Sequence, residues 1–121
     1  DALDAVPAVA TRLLDRAATY LLVRGELQAA LAPFERAYGV RREKLGDDHP
    51  DALTSASNLA LNLLWLGEYH RARTLDEDTW ARRRRVLGED APDTLTSASQ
   101  LASDLFGSGY FPQARNCRKK C

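Results

Sequence analysis

The strongest constraint on this chain is that it repeats itself. The stretch Leu45-Gly46-Asp47-Asp48-His49-Pro50-Asp51-Ala52-Leu53-Thr54-Ser55-Ala56-Ser57 returns as Leu87-Gly88-Glu89-Asp90-Ala91-Pro92-Asp93-Thr94-Leu95-Thr96-Ser97-Ala98-Ser99, an offset of 42 residues. The register continues past this match: Leu59-Ala60 becomes Leu101-Ala102, Gly67 becomes Gly109 and Ala72 becomes Ala114. Stepping upstream by the same interval pairs Gly67 with Gly25, Glu68 with Glu26, Ala60 with Ala18 and Ala72 with Ala30; Leu27, Tyr69 and Phe111 align as well. The first copy is degenerate at its start, where Pro7 stands one place from the expected position. A fixed period of this length is the mark of a repeat architecture, in which each unit is one supersecondary element.

Each copy reads as two helices. In the middle copy Pro50 and Asp51 form a helix start, with an acidic side chain suited to the positive end of the helix dipole. Apolar or small residues at 53, 56, 59, 60, 63, 64 and 66 recur along one helical face. Gly67 ends that helix, and a second runs from about Glu68 to about Val86 before Leu87-Gly88. No stretch alternates with period two, so strands are not expected. A lone hairpin of this kind cannot bury its apolar face, whereas stacked neighbours bury a continuous core. The small residues at 18, 60 and 102, and at 30, 72 and 114, mark places where helix axes approach closely. The whole chain, 1–121, reads as a single array with repeats at about 3–44, 45–86 and 87–121, the last incomplete.

The order of a small residue, Leu-Ala, Gly, an aromatic and then Ala resembles the tetratricopeptide repeat. The connector Leu45-Gly46-Asp47-Asp48-His49-Pro50-Asp51 followed by Asn58-Leu59-Ala60 is similar to the 42-residue repeat of kinesin light chains. The segment from Leu75 to Gly88 resembles bacterial arrays of that type, common in actinobacteria, which often form the sensor arm of signalling ATPases or transcriptional regulators. The likeness covers about residues 14 to 115. It departs from the pattern at Ala91, which stands where the other connector has His49, at Ser108 and Tyr110, and over Asn116 to Cys121. The resemblance implies an all-α fold, antiparallel helix hairpins stacked into a right-handed superhelical solenoid.

It also implies a binding role. In such arrays the first helix of each pair lines the concave face, which here places Thr54, Ser57, Asn58, Leu61 and Trp65 inward. Their counterparts are Thr96, Ser99, Gln100, Ser103 and Gly107. Amides of Asn and Gln pair with a peptide backbone, and Trp65 is suited to be a flat anchor, or else packs between repeats. Upstream the same face carries Arg12, Asp15, Arg16, Thr19 and Val23, a different chemistry. The expected partner is a protein or an extended peptide, or another domain of the same parent chain. The groove reading expects Asn58→Ala with Ser57→Ala to weaken binding without changing the melting temperature. A structural spacer that self-associates through its end faces is the second reading.

Other chemistry is sparse. The net charge is zero, with 17 basic and 17 acidic side chains, so no overall field draws the chain to nucleic acid or an anionic membrane. The run Arg82 to Arg85 sits among Asp76, Glu77, Asp78, Glu89 and Asp90, which favours a solvated, salt-bridged face over a phosphate-binding one. His49 and His70, the two histidines, do not converge; a connector or capping contact is the expectation. Cys117 and Cys121 lack further zinc ligands nearby and read as free thiols. There is no Gly-rich phosphate loop, nucleophile elbow or paired-His helix, so neither catalysis, a cofactor nor a metal is expected. No apolar run approaches a membrane span, and Asp1-Ala2-Leu3-Asp4 begins no signal peptide. Without an initiator Met the chain reads as a segment of a longer, cytoplasmic protein.

Overall fold

The computed structural model describes the backbone of residues 2–107 and the side chains of residues 8–107. Five helices follow one another: α1 (Ala2–Val23), α2 (Leu27–Leu45), α3 (Pro50–Trp65), α4 (Tyr69–Leu87) and α5 (Pro92–Gly107). No strand occurs among the described residues. Turns of three residues join α1 to α2 and α3 to α4, and turns of four join the others, so each helix folds back on its predecessor. Consecutive helices pack together, and α3 also touches α5. The fold is an all-α stack of helix hairpins.

The two three-residue turns have the same construction. At the end of α1 the Glu26 N–H donates to the Leu21 carbonyl at 2.8 Å and the Gly25 N–H to Leu22 at 3.0 Å. At the end of α3, Glu68 donates to Leu63 at 2.8 Å and Gly67 to Leu64 at 3.0 Å. This reciprocal pair satisfies the last carbonyls of a helix but needs a left-handed residue. Gly25 and Gly67 supply it, with φ of 81° and 84°. The two glycines are thus equivalent in space as in sequence. Their counterpart Gly109 lies outside the described residues, as do Ser108, Tyr110, Phe111, Ala114, Cys117 and Cys121.

Pro50 opens α3, where its missing N–H is harmless, and the His49 side chain caps the helix by accepting the Asp51 N–H at Nδ1, 3.1 Å away. His49 therefore makes the capping contact expected of it. Pro7, by contrast, does not start its helix: α1 begins at Ala2 and runs through it.

Ala18, Ala30, Ala60 and Ala72 are all fully buried. Ala18, Ala30 and Ala72 join Phe34, Leu59 and Leu63 in the core at the junction of the first two hairpins, flanked by Leu21, Leu22, Leu31, Tyr38, Leu64 and Leu75. The next junction is built differently. At the positions equivalent to Phe34, Ala37, Ala52 and Asn62 stand Asp76, Thr79, Thr94 and Asp104, each no more than 2% exposed. One junction is mainly apolar and the other mainly polar, although both obey the same period.

Candidate functional site

The candidate face is carried by the first helices, α1, α3 and α5, because the second helices, α2 and α4, back onto them. Of the ten residues expected there on α3 and α5, Thr54, Trp65, Thr96, Ser99, Ser103 and Gly107 are exposed, while Asn58, Leu61 and Gln100 are half-buried. Trp65 is 54% exposed, so it is not consumed by packing between repeats. Ser57 does not fit the expectation. It is 7% exposed, and its Oγ accepts a hydrogen bond from the Arg83 guanidinium at 3.2 Å. Replacing Ser57 alters the junction as well as the surface, so the paired Ser57 and Asn58 substitution is not a clean probe of a groove.

Among the described residues, clefts lie at opposite ends of α3. The first has a volume of about 740 Å³ and is walled by Arg12 and Asp15 of α1, Val40, Arg41, Lys44 and Leu45 at the end of α2, and Asp51 and Thr54 of α3. The second, shallower one brings together Trp65, Ser99 and Ser103 with Leu64, Tyr69, Ala102 and Phe106. Thr54 and Trp65 are separated by three helical turns, about 16 Å of helix rise. Gly107 matters in the second cleft, since a Cβ there would lie 2.6 Å from the Tyr69 ring. Two hydroxyls on this face bond back to their own helix: Thr96 donates to the Pro92 carbonyl at 3.0 Å and Ser103 to the Ser99 carbonyl at 3.2 Å, leaving the Ser99 hydroxyl as the freer donor.

Between the clefts the helices are held in register by a repeated arginine. Arg41 of α2 pairs with Asp15 of α1 at 2.6 Å and donates to the Ser55 Oγ of α3, also at 2.6 Å. One repeat on, Arg83 of α4 donates to Ser57 of α3 and to Ser97 of α5 at 2.8 Å, and reaches the Asp93 carbonyl at 3.3 Å. Arg41 and Arg83, Asp15 and Ser57, and Ser55 and Ser97 are each 42 residues apart. The second staple has lost its acid partner. Burial accordingly pulls the Arg83 guanidinium below its ordinary value.

The arginine run is thereby corrected at one position. Arg82 reaches Asp78 and Asp48, both at 2.9 Å, Arg85 reaches Asp48 at 2.7 Å, and Arg84 reaches Glu89 at 3.3 Å, as a salt-bridged face requires. Arg83 is instead 5% exposed and structural. Asp76, read as part of the same solvated face, is 1% exposed and faces Asp104. No group of three or more metal-ligating side chains occurs among the described residues.

The tetratricopeptide repeat family model matches the chain twice in succession, over residues 9–51 and 52–93. The chain belongs to that family. Tetratricopeptide repeats are non-catalytic scaffolds that generally mediate protein–protein interaction. A search of curated proteins finds no match. In this tetratricopeptide array, signals for Arg83 and Ser57 were present in the sequence, as the 42-residue spacing of Arg41 and Arg83. Nothing in the local pattern marked Asp76 as buried, since it opens the acidic run Asp76-Glu77-Asp78, and Asp104 is a carboxylate beside Ser103.

Proposed function

We propose that this chain is a protein- or peptide-binding module that offers the α1–α3–α5 face to an extended segment of a partner. The observation that carries the reading is Trp65. A large aromatic side chain held more than half exposed, beside the Ser99 and Ser103 hydroxyls and the rings of Tyr69 and Phe106, is the composition of a binding anchor. Thr54, Asn58, Leu61, Thr96 and Gln100 supply the rest of the surface along the same helices, with Asn58 and Gln100 amides as partners for a peptide backbone. No enzymatic activity, cofactor or metal is part of this reading. The resemblance to actinobacterial arrays supports a place within a larger bacterial signalling or regulatory protein in the cytoplasm, where the partner is a separate protein or another domain of the parent chain. No helix among the described residues is long and apolar enough to cross a membrane.

Selection of a displayed peptide library on the chain tests this. Selected peptides should bind the parent chain and lose about tenfold or more in affinity on Trp65→Ala, with helicity unchanged. Failure to select any peptide, or binding indifferent to Trp65→Ala and Asn58→Ala, overturns the assignment.

A second reading has a specific observation in its favour. Val9, Leu13 and Tyr20 form an exposed stripe on α1, 45%, 60% and 59% accessible. End-to-end self-association through that stripe makes the array a spacer. Sedimentation over a concentration series separates the two, because a monomer throughout leaves only the binding module.

A further inference from the structure

We infer that Arg83, Ser57 and Ser97 form a buried site for a small monovalent anion of the chloride class, at the junction of α3, α4 and α5. The first repeat supplies the reason. There Arg41 Nη1 holds the Asp15 carboxylate at 2.6 Å beside the Ser55 hydroxyl, so a full negative charge stands in the staple. One period on, Ser57 takes the place of Asp15. The Arg83 guanidinium is 5% exposed and makes no ion pair among the described residues. A buried cation left without its counter-charge is costly.

The hydrogen-bond inventory agrees. All the contacts of Arg83 leave from Nη1, to Ser57 at 3.2 Å, Ser97 at 2.8 Å and the Asp93 carbonyl at 3.3 Å. The hydrogens of that nitrogen are shared among three acceptors, while Nε and Nη2 have none among the described residues. Ser57 and Ser97 accept through Oγ, and neither hydroxyl donates onward among the described residues. Thr94, one turn before Ser97 on α5, is 2% exposed and its hydroxyl has no partner either. Donors are in surplus here. A water molecule brings hydrogens that need acceptors of their own, whereas an anion takes donors only.

Size and charge narrow the ligand. Exchanging aspartate for serine frees no more than the volume of a carboxylate, enough for one halide and too little for phosphate or sulfate. The exposed Asp93 carboxylate and the buried Asp76 act on the guanidinium through space without closing an ion pair, and they favour a single over a double negative charge. At 5% exposure Arg83 admits an ion and no side chain from a partner protein. The site is therefore independent of the peptide-binding reading.

The test is thermal unfolding of the full chain at pH 7 and constant ionic strength, with chloride exchanged for gluconate, whose bulk keeps it out. Between about 5 mM and about 200 mM chloride the midpoint should rise by about 3 °C or more and then saturate. Broadening of the chloride NMR line by the parent chain reads the site directly, and bromide should reverse it. Ser57→Asp, which installs the first repeat's acid, should abolish both chloride effects. Ser97→Ala, which removes one donor hydroxyl, should weaken chloride binding by about fivefold to tenfold, and it carries the test if Ser57→Asp does not fold. Equal midpoints in chloride and gluconate, a rise that never saturates, or chloride binding indifferent to these substitutions overturns the inference.

Discussion

Asp76 of α4 and Asp104 of α5 face one another across the second junction with 1% and 0% of their surfaces exposed. Among the described residues no donor reaches Oδ1 of Asp76 or either oxygen of Asp104. Two adjacent carboxyls in such a place cannot both ionise, and they hold a proton between them. Burial first, then the hydrogen bond that protonated Asp76 donates to Asp104, pushes Asp76 up to about 9, with Arg83 opposing the rise; burial also raises Asp104, against the lowering effect of that same hydrogen bond.

Linkage gives the direction of the pH dependence. A carboxyl raised in the folded state retains its proton where the unfolded chain has lost it, so stability falls as pH climbs from about 4 toward 9. Asp104→Asn, which installs the residue found at the equivalent Asn62, should flatten this decline and stabilise the array by about 1–3 kcal/mol at pH 8. Urea unfolding at pH 5 and pH 8 checks it. A parent chain more stable at pH 8 than at pH 5 contradicts the shared proton.

Arg83→Ala should destabilise the chain by about 2–4 kcal/mol, because Ser57, Ser97 and the Asp93 carbonyl lose their common donor in a buried setting. Arg83→Lys should recover little, since one ammonium does not reproduce the planar fork. Chemical denaturation of both variants provides the comparison, and a full rescue by lysine removes the geometric account.

Pro33 lies inside α2, half-buried, where the equivalent residue of α4 is Leu75, packed against the core. A proline in a helix interior removes one backbone hydrogen bond and crowds the preceding turn. Pro33→Leu should therefore stabilise the chain by about 1–3 kcal/mol, read as a higher denaturation midpoint. No change, or a loss, means that α2 is adapted to the bend proline imposes.

His49 caps α3, and its counterpart Ala91 offers α5 no side-chain acceptor. Ala91→Asp should stabilise α5 by about 0.5–1 kcal/mol, and His49→Ala should cost α3 about as much. Hydrogen exchange of the first-turn amides of each helix reports the two effects separately.

The period made most of the architecture legible. Gly25 and Gly67 share one turn geometry, Ala18, Ala60, Ala30 and Ala72 are all fully buried, and the helix bounds of the middle copy fall within a residue or two of those read from the pattern, while α1 starts upstream of Pro7. The binding face was less legible for a physical reason. Helical spacing tells which side a residue takes, but not whether a neighbour from another repeat reaches over it. Ser57 is covered by Arg83, sent from the next helix, whereas Trp65 is left 54% exposed in the cleft it shares with Gly107, its own counterpart. Asp76 and Asp104 were hidden for a related reason: at Phe34 and Asn62 the period offers an aromatic and an amide, and only the assembled junction shows that two acids have taken their places.

The contrast between an oily first junction and a polar second one makes this array mechanically lopsided. In a one-dimensional stack each unit leans only on its neighbours, so opening begins wherever the coupling is weakest. The α4–α5 contact, with its arginine lacking the ion pair that Arg41 makes with Asp15 and its acids sharing one proton, is the seam at which the molecule should fray, like a zipper whose last teeth are shallow. Partners that bridge α3 and α5 would then act as a clasp, tightening the loose end as they bind.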